Sequence, residues 1–447
     1  MAKVTGIDIY KLLPKTNCGD CNFPTCMAFA MQVAAKKAAL DQCPHVSAEA
    51  QAALGDAQAP PMLTVTIGVG EKQLAIGGET VLFRHEEKFH HPTGVAVRVS
   101  AALEDAEIDA RLEAIERLRF TRVGEEIGVD LIAVDGNGSD AGRFRATVKR
   151  VSDGSDLPLI LLCEDAGTLG AVLDGVAVQR PLIGPATDAN WEAIAGIATE
   201  KKLPVLVRSD SVEGLAALVE NLKGKGSESL VLQPIATDLI GTLTHLTRLR
   251  RLALERVFRP LGYPTCVAAA GETLVGQSVA AGAAVCRYAG IVITDAATPE
   301  EILPILTIRQ NIYTDPQVPN AIEAKLYEIG SPGADSPVIL TTNFALTYFT
   351  VAGEVENSKV PAYISVVDTE GLGVLNAYAD DKLTAEGIVK AVTTQNVMHR
   401  VNHNKLIIPG LVAVLRMEIQ EESGWEVIVG PEDAAGIPHF LKTEWAG

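Results

Sequence analysis

The sequence contains few aromatic residues. Phe, Tyr and Trp together make up 5% of its 447 residues, whereas 47% of the residues are hydrophobic. Small aliphatic side chains of this kind suit helices that pack closely on parallel strands, and the composition argues against a β-sandwich. A chain of this length is expected to divide into several domains, because single cores seldom exceed about 250–300 residues.

Long apolar runs and basic clusters are also missing. No stretch approaches the roughly 18 uninterrupted apolar residues of a transmembrane helix, and residues 1–18 contain no apolar segment of signal-peptide length. Lys and Arg total 38 against 56 Asp and Glu, which gives a net charge of −18. Binding to nucleic acid phosphates requires local positive charge, so we expect no nucleic-acid partner. No membrane association is predicted, and a cytoplasmic location is expected.

Cysteine is scarce as well, but four of the seven cysteines lie close together near the amino terminus. They are Cys18, Cys21, Cys26 and Cys43, with the spacing C-x2-C-x4-C-x16-C. Thiols stay reduced in the cytoplasm, so this set indicates a bound metal rather than disulfides. The stretch MAFAMQVAAKKAAL, residues 27–40, predicts a helix that returns the chain so that Cys43 can close the site.

Three interpretations of the cysteine set are open. A structural zinc site usually combines two C-x2-C pairs or adds histidines, and only one such pair is present here. Unrelated buried core thiols are a second interpretation. An uneven set of four thiolates punctuated by glycine favours a 4Fe–4S cluster. We therefore predict a 4Fe–4S domain over residues 1–57 with a linker after it, in the Gly-, Ala- and Pro-rich stretch 55–61.

Residues 62–325 are predicted to form a TIM-type (β/α)8 barrel, preceded by a small β meander at 62–92. Short apolar runs alternate with helical segments from Gly94 onward, which favours a closed parallel barrel over a doubly wound sheet. The predicted barrel strands are GVAVRVS, DLIAVDG, LPLILLCED, DGVAVQ, LPVLVRS, SLVLQP, YPTCVAA and GIVITD.

Polar residues follow several of these predicted strands. Functional groups of such barrels lie at the carboxyl ends of the strands, so one interpretation is a folate-type active site. The other is a set of helix N-caps, because Asp often begins a helix that follows a strand. The residues concerned are Asp135, Asn137, Glu164, Asp165, Gln179, Arg180, Asp210, Gln233 and Asp295.

A second α/β domain is predicted over residues 331–447, with four apolar strands and helices between them. The ligand crevice of an open α/β sheet lies outside the carboxyl ends of its strands. Small or polar residues follow the strands at 341–343, 369–373, 409–410 and 430–431. They predict a broad, shallow platform for a large flat cofactor, although glycines after strands also serve simply to turn the chain.

An iron–sulfur module, a barrel and a small α/β domain, in this order, resemble the large subunits of the corrinoid iron–sulfur proteins of the anaerobic acetyl-CoA (Wood–Ljungdahl) pathway. The resemblance covers essentially the whole chain and is most specific in CGDCNFPTCMAFA…DQCPH and VILTTNFALTYFTVAGEVEN…VVDTEGLGVLNAYA. It implies a methyl carrier, whose corrinoid accepts a methyl group from methyltetrahydrofolate through a methyltransferase and passes it to acetyl-CoA synthase. The 4Fe–4S cluster would then reductively reactivate the corrinoid.

The resemblance further implies a Rossmann-like corrinoid-binding domain and a heterodimer with a small TIM-barrel subunit, with a reductive activator or ferredoxin as electron donor. No catalytic residue is predicted in this chain. The lower face of the corrinoid would lie over residues 340–347, with 369–373 and 430–434 around its tail. The implied contacts, assigned by position, are Leu340, Thr341, Thr342, Asn343, Leu346, Thr347, Thr369, Glu370, Gly371, Leu372, Gly373, Gly410, Gly430, Pro431 and Ala434.

One motif of many cobalamin-binding domains is missing from the sequence. D-x-H-x-x-G supplies a histidine that ligates cobalt, but His399, His403 and His439 have no Asp two residues earlier. Its absence would make the cobalt easier to reduce. Two other functions are alternatives: a folate-dependent corrinoid methyltransferase with a catalytic barrel, and an electron-transfer subunit of an anaerobic reductase.

Overall fold

A computed structural model describes residues 6–21, 23–34, 38, 42–47 and 60–445. The chain divides into two compact units, one made of Met1–Arg119 and Gly128–Tyr313, the other of Phe120–Ile127 and Thr314–Gly447. The second unit is therefore assembled from two separate pieces of the chain.

Two short helices, α1 (Gly6–Leu12) and α2 (Cys26–Ala34), organise the amino-terminal module. Ile9 of α1 and Phe29 of α2 are among the side chains of its small core. The helix predicted over 27–40 is described as far as Ala34. Residues 55–59 of the predicted linker lie outside the described residues.

The β meander predicted before the barrel is a two-stranded hairpin. Strands β1 (Thr64–Ile67) and β2 (Leu74–Gly77) pair antiparallel. Their buried side chains join those of the barrel interior in one core cluster. The third predicted strand, residues 80–89, is wrong, because these residues form turns. This segment carries five consecutive polar residues, RHEEK, so neither face of a strand here would be continuously apolar.

Eight parallel strands form the barrel, and a two-stranded hairpin is inserted after the first helix of the ring. The strands of this region are β3 (Gly94–Ser100), β4 (Arg119–Arg122), β5 (Glu125–Gly128), β6 (Leu131–Asp135), β7 (Leu159–Leu162), β8 (Leu182–Ala186), β9 (Val205–Ser209), β10 (Leu230–Pro234), β11 (Cys266–Ala268) and β12 (Ile291–Thr294). The barrel order is β10-β9-β8-β7-β6-β3-β12-β11. The Leu232 N–H of β10 donates to the carbonyl of Pro264, just before β11, at 2.8 Å and closes the ring.

Helices surround the barrel, and their buried faces cover strands that are themselves almost fully buried. They are α3 (Asp105–Glu116), α4 (Ala141–Gly154), α5 (Ala166–Gly175), α6 (Trp191–Lys201), α7 (Val212–Gly224), α8 (Leu239–Leu254), α9 (Leu274–Cys286) and α10 (Pro299–Tyr313). Within the described residues, no helix has both the length and the hydrophobicity to cross a bilayer.

One of the eight predicted barrel strands is wrong. Residues 174–179, DGVAVQ, form the end of α5 and a loop. The barrel strand in this region is instead β8, a few residues later, with the sequence LIGPA. Pro185 lacks an N–H and made this buried stretch resemble a turn. Gln179 and Arg180 are therefore not at the carboxyl end of a strand. The Arg180 Nε instead donates to the carbonyl of Thr66 on β1 at 3.1 Å.

A five-stranded sheet is the centre of the second unit. Its strands are β13 (Leu326–Ile329), β14 (Val338–Thr342), β15 (Ala362–Val367), β16 (Lys405–Ile408) and β17 (Glu426–Val429), in the order β13-β15-β14-β16-β17. All neighbours are parallel except β13, an antiparallel edge strand that the sequence did not predict. The helices are α11 (Ala345–Ser358), α12 (Val374–Ala379), α13 (Ala385–Thr394), α14 (Arg416–Ser423) and α15 (Ile437–Phe440).

The β4–β5 hairpin belongs to this second unit although it lies within the barrel sequence. Gly124 sits in the turn with φ +74°, and a Cβ atom there would lie 2.4 Å from Cζ of Phe349 on α11. The turn therefore packs closely against an aromatic ring. The hairpin was not predicted, because the residues between the first two predicted barrel strands were interpreted as a helical segment.

Candidate functional site

Three of the four predicted cysteine ligands belong to the small core of the amino-terminal module. Cys21, Cys26 and Cys43 are buried, Cys18 is exposed, and all four thiols are free of disulfides. The Cys26 N–H donates to Oδ1 of Asn17 at 2.8 Å, which ties the loop before α2 to the first residue of that helix. Asn17 is a positioning residue that the sequence analysis did not identify.

One of these thiols, that of Cys18, lies close to two other side chains of types that can bind metal ions. Among the described residues, Cys18, Asp20 and His45 bring one donor atom each to within 4.8 Å of one another. Asp20 Oδ2 and His45 Nε2 are 2.6 Å apart, and this contact, followed by that of Cys18, lowers the pKa of Asp20. The other three cysteines are not part of this group.

The arrangement of the thiols distinguishes between a single ion and a cluster. Four sulfurs on one zinc ion lie roughly 4 Å apart, because Zn–S bonds are about 2.3 Å long. The described thiols are not gathered into such a group. Four thiols, three of them buried, fit a 4Fe–4S cluster, in which several irons separate the sulfurs.

An apolar cleft of about 300 Å³ opens at the carboxyl ends of β14, β16 and β17. Its lining includes seven of the residues predicted as cofactor contacts: Leu340, Thr341, Thr347, Gly373, Gly430, Pro431 and Ala434. The other eight predicted contacts lie outside the lining: Thr342, Asn343, Leu346, Thr369, Glu370, Gly371, Leu372 and Gly410. The structure thus brings together residues from three strand ends that are far apart in the sequence.

Gly410 allows two loops at the cleft to approach through their backbones. A Cβ atom at this position would lie 2.7 Å from the carbonyl oxygen of Gly430 and 2.8 Å from the nitrogen of Glu432. The Gly410 N–H also donates to the carbonyl of Pro431 at 3.1 Å. Because any larger residue would force the loops apart, Gly410 shapes the cleft without lining it.

Asn343 also acts on the cleft from outside it. The side chain is 5% exposed, and its Oδ1 accepts hydrogen bonds from Thr369 N, Thr369 Oγ1 and Gly371 N at 3.0, 3.0 and 2.9 Å. Its Nδ2 donates to Asp368 Oδ1 at 2.9 Å. The side-chain amide of Asn343 therefore fixes the loop at 369–371. This loop leads to Gly373, which lines the cleft.

Two buried hydroxyls at the end of β14 have no hydrogen-bond partner within the part of the chain that the structure describes. Oγ1 of Thr341 and Oγ1 of Thr342 are both inaccessible to solvent and unpaired. Thr341 lines the cleft, whereas Thr342 does not. A buried hydroxyl without a partner is costly, and the hydroxyl of Thr341 belongs to a residue of the cleft wall.

No histidine of the second unit lines the cleft. His403 Nε2 is 2.9 Å from the carbonyl oxygen of Ser336, and its ring contacts Trp445. His399 and His439 are exposed and are not part of the lining. Among the described residues, the second unit therefore places no imidazole at this cleft.

One wall of the cleft is formed by residues that were not predicted from the sequence. Ile437, Phe440 and Leu441, on and just after α15, contribute to its lining. Their spacing at i, i+3 and i+4 is typical of one face of a helix and could have revealed them. Leu375 and Leu411, which are 52% and 40% exposed, are further lining residues that no strand-end pattern indicated.

The polar groups at the barrel strand ends are largely paired with one another. Arg98 makes a two-bonded ion pair with Asp295, with distances of 2.7 and 2.5 Å. Arg208 donates to Gln233 at 2.9 Å and to Glu164 at 2.6 Å. These groups satisfy each other and leave little for a pterin.

Other strand-end residues have structural partners as well. Asp165 accepts a hydrogen bond from the Thr168 N–H and caps α5, as the helix-cap interpretation predicts. Asp135 accepts from the side chain of Asn137 at 2.8 Å. Asp210 is exposed. The barrel end is therefore stabilised mainly by internal pairs.

Family models match both parts of the chain. A model described as "CO dehydrogenase/acetyl-CoA synthase delta subunit" matches residues 64–441. Another, described as "Putative Fe-S cluster", matches residues 13–45 and so includes all four clustered cysteines.

Similar curated proteins span nearly the full length of the chain. The corrinoid/iron–sulfur protein large subunit of Moorella thermoacetica is 43% identical, covering 99% of each chain. The acetyl-CoA decarbonylase/synthase complex subunit gamma of Methanopyrus kandleri is 36% identical over 99% of this chain and 98% of its own. The subunit gamma of Archaeoglobus fulgidus is 34% identical, covering 98% of each chain. The chain therefore belongs to the family of corrinoid/iron–sulfur protein large subunits.

Proposed function

We propose that this chain is a methyl carrier, which binds a corrinoid at the cleft of its second unit and a 4Fe–4S cluster on its four clustered cysteines. The observation that carries the proposal is the apolar cleft at the strand ends, with the unpaired Thr341 hydroxyl in its wall. The corresponding functional division is 1–57 for the cluster, 62–325 for the barrel and 331–447 for the corrinoid.

The residues of the cleft suit a corrinoid that is bound without a protein ligand to its metal. Leu340 and Thr347 provide apolar and small contacts, and Gly373 and Gly430 allow the backbone to approach a flat ring. Thr341 offers a hydroxyl to a polar substituent. The bound corrinoid would supply the methyl-transfer chemistry itself, and the protein would orient it and limit its exposure to water.

The amino-terminal module would hold the cluster through Cys18, Cys21, Cys26 and Cys43. A bound cluster would supply single electrons that reactivate an oxidised corrinoid. Burial of three of the four cysteines shields such a cluster from solvent, and the exposed Cys18 leaves one side open to an electron donor or to the corrinoid. The proposed donor is a reductive activator or ferredoxin.

Other subunits of an acetyl-CoA decarbonylase/synthase complex are the proposed partners, because the relatives from Methanopyrus kandleri and Archaeoglobus fulgidus are named as subunits of such a complex. More specifically, we propose a heterodimer with a small TIM-barrel subunit. Methyltetrahydrofolate:corrinoid methyltransferase would be the methyl donor and acetyl-CoA synthase the acceptor. The paired groups at the barrel strand ends favour this carrier role over a catalytic barrel.

Metal analysis and absorption spectroscopy of the anaerobically purified chain test the proposal. We expect one cobalt and about four irons per chain, with a corrinoid spectrum that lacks an imidazole-ligated form. Protein that binds iron but takes up no cobalt when reconstituted with cobalamin would reject the corrinoid assignment. Methyl transfer from methyltetrahydrofolate to free cobalamin by this chain alone would support a catalytic barrel instead.

A further inference from the structure

Two neighbouring helices of the barrel, α8 and α9, expose a group of aliphatic side chains. Ile240 at the start of α8 is 76% exposed, and Val275 and Val279 on the first two turns of α9 are 66% and 62% exposed. Leu239 and Leu274 beside them are also exposed. Single exposed aliphatic residues are ordinary, but a group on two packed helices is typical of an interaction surface.

A groove of about 620 Å³ continues from this apolar group along α8. Ile240 and Leu243 line it near the start of the helix, and Arg251, Arg256 and Arg287 line it further along. Its character therefore changes from aliphatic to cationic along its length. α8 has 16 residues, so the groove beside it extends for up to about 24 Å, the length of four to five helical turns.

The positive charge of the groove contrasts with the rest of the chain. The net charge of the protein is −18, and two of the groove arginines are compensated, Arg248 by Glu213 and Arg251 by Glu255. Arg256 and Arg287 also line the groove, and their guanidinium groups have no hydrogen-bond or ion-pair partner among the described residues.

The charge favours a different protein over a second copy of this chain. A symmetric contact between two copies would place the same patch on both sides, so the cationic ends of both copies would be buried in one interface. A partner with Asp or Glu opposite the cationic end would instead be attracted. The Moorella relative is named as a large subunit, which indicates a protein with at least one further subunit.

We propose that the groove along α8, together with the exposed aliphatic group of α8 and α9, binds an amphipathic helix of the small subunit, an inference that rests on the heterodimer proposed above. Aliphatic residues at one end of that helix cover Ile240 and Val275, and acidic residues at its other end pair with Arg256 and Arg287. A helix bound in a groove buries anchor residues at i, i+3, i+4 and i+7 along one face. A helix of four to five turns would match the length of this groove.

The test measures binding of the purified small subunit to the full-length chain. Ile240→Glu combined with Val275→Glu places carboxylates in the apolar contact, and we expect the dissociation constant to rise at least about 30-fold. Arg256→Glu combined with Arg287→Glu should lower the association rate and flatten its dependence on salt. Val69→Glu is the matched control: Val69 is an aliphatic residue outside α8 and α9 that is 47% exposed, and its replacement should leave binding unchanged.

The outcomes separate the surface assignment from the proposed partner. If the unaltered chain does not bind the small subunit, the heterodimer is rejected together with this inference. If it binds but both double variants bind equally well, the surface is wrong and the heterodimer stands. The unaltered chain could also self-associate, and the aliphatic double variant could abolish this association. That result would overturn the inference, because the surface would then bind a second copy of this chain. Unchanged melting temperature and iron content show that the variants are folded.

Discussion

The side-chain oxygen of Asn343 lies 2.9 Å from the backbone nitrogen of Gly371, across the gap between two strand-end loops. Gly371 has φ +78° and its neighbour Glu370 has φ +57°, both in the left-handed region. Glu370 is a residue for which this conformation is unfavourable, so the loop needs external support. Asn343 provides that support by accepting three hydrogen bonds from the loop.

Replacing Asn343 with Ala should loosen the loop 369–373 and weaken corrinoid binding. The buried donors of the loop would lose their acceptor, at a cost of about 1–3 kcal/mol in the free energy of unfolding. Thermal unfolding of the corrinoid-free protein and titration with cobalamin measure the two effects. Asn357→Ala is the control, because Asn357 is exposed and lies on α11, away from the loop. Unchanged hydrogen exchange of the Gly371 amide would contradict this role.

Replacing Thr341 with Val should separate ligand binding from stability. The unpaired buried hydroxyl is removed with little change in shape, so the corrinoid-free protein should become more stable by up to about 1–2 kcal/mol. Corrinoid affinity should fall, because the cleft loses its hydroxyl. Thr342→Val is a matched control, since this hydroxyl is equally buried and unpaired but does not line the cleft. Equal losses of affinity in both variants would show that Thr341 has no direct contact with the ligand.

Replacing Cys21 with Ala should abolish the cluster and spare the corrinoid site. We expect the iron content to fall and the cobalt content to remain, because the two sites use separate parts of the chain. Methyl transfer should survive when the corrinoid is reduced chemically, whereas reactivation after oxidation should fail. Cys286→Ala, which alters an exposed cysteine outside the module, is the control. Loss of methyl transfer under chemical reduction would favour an electron-transfer subunit.

Replacing Asp295 with Asn should reduce stability most at neutral pH. The hydrogen bonds from Arg98 lower the pKa of Asp295 in the folded protein, so its contribution is present above the unfolded pKa of about 3.9 and is lost as the pH falls through the lower folded value. The difference in unfolding free energy between variant and parent should therefore shrink below about pH 4. Denaturant unfolding between pH 3 and pH 7 would measure it, with the exposed Asp188→Asn as control. A pH-independent difference would contradict the assignment.

The barrel could be predicted from the sequence because its strands are short apolar runs between amphipathic helices. The error at β8 has a physical cause: Pro185 and Gly184 are typical of turns, and only the tertiary burial of this strand overrides that local signal. The edge strand β13 was missed because its burial is only partial, so it carries no strong apolar pattern.

The parts of the site that depend on residue type could be predicted from the sequence. The parts that depend on tertiary packing were harder to predict. Cysteine spacing alone indicated the cluster, and strand ends indicated the region of the cleft. Whether a strand-end residue lines the cleft or supports it depends on the direction of its side chain, which distinguishes Thr341 from Thr342 and which no residue pattern contains. The wall formed by Ile437 and Phe440 arises from a terminal helix that folds back along the sheet, a long-range event.

The turn at Gly124 has a practical consequence for dissecting this protein. A recombinant fragment that begins at residue 314 would lack residues 120–127, which belong to the same compact unit. The ring of Phe349 would then be more exposed to solvent, because the fragment would lack the hairpin that packs against it. Expression of the second unit as an autonomous fragment therefore requires these eight residues to be spliced back in, or Phe349 to be exchanged for a polar side chain.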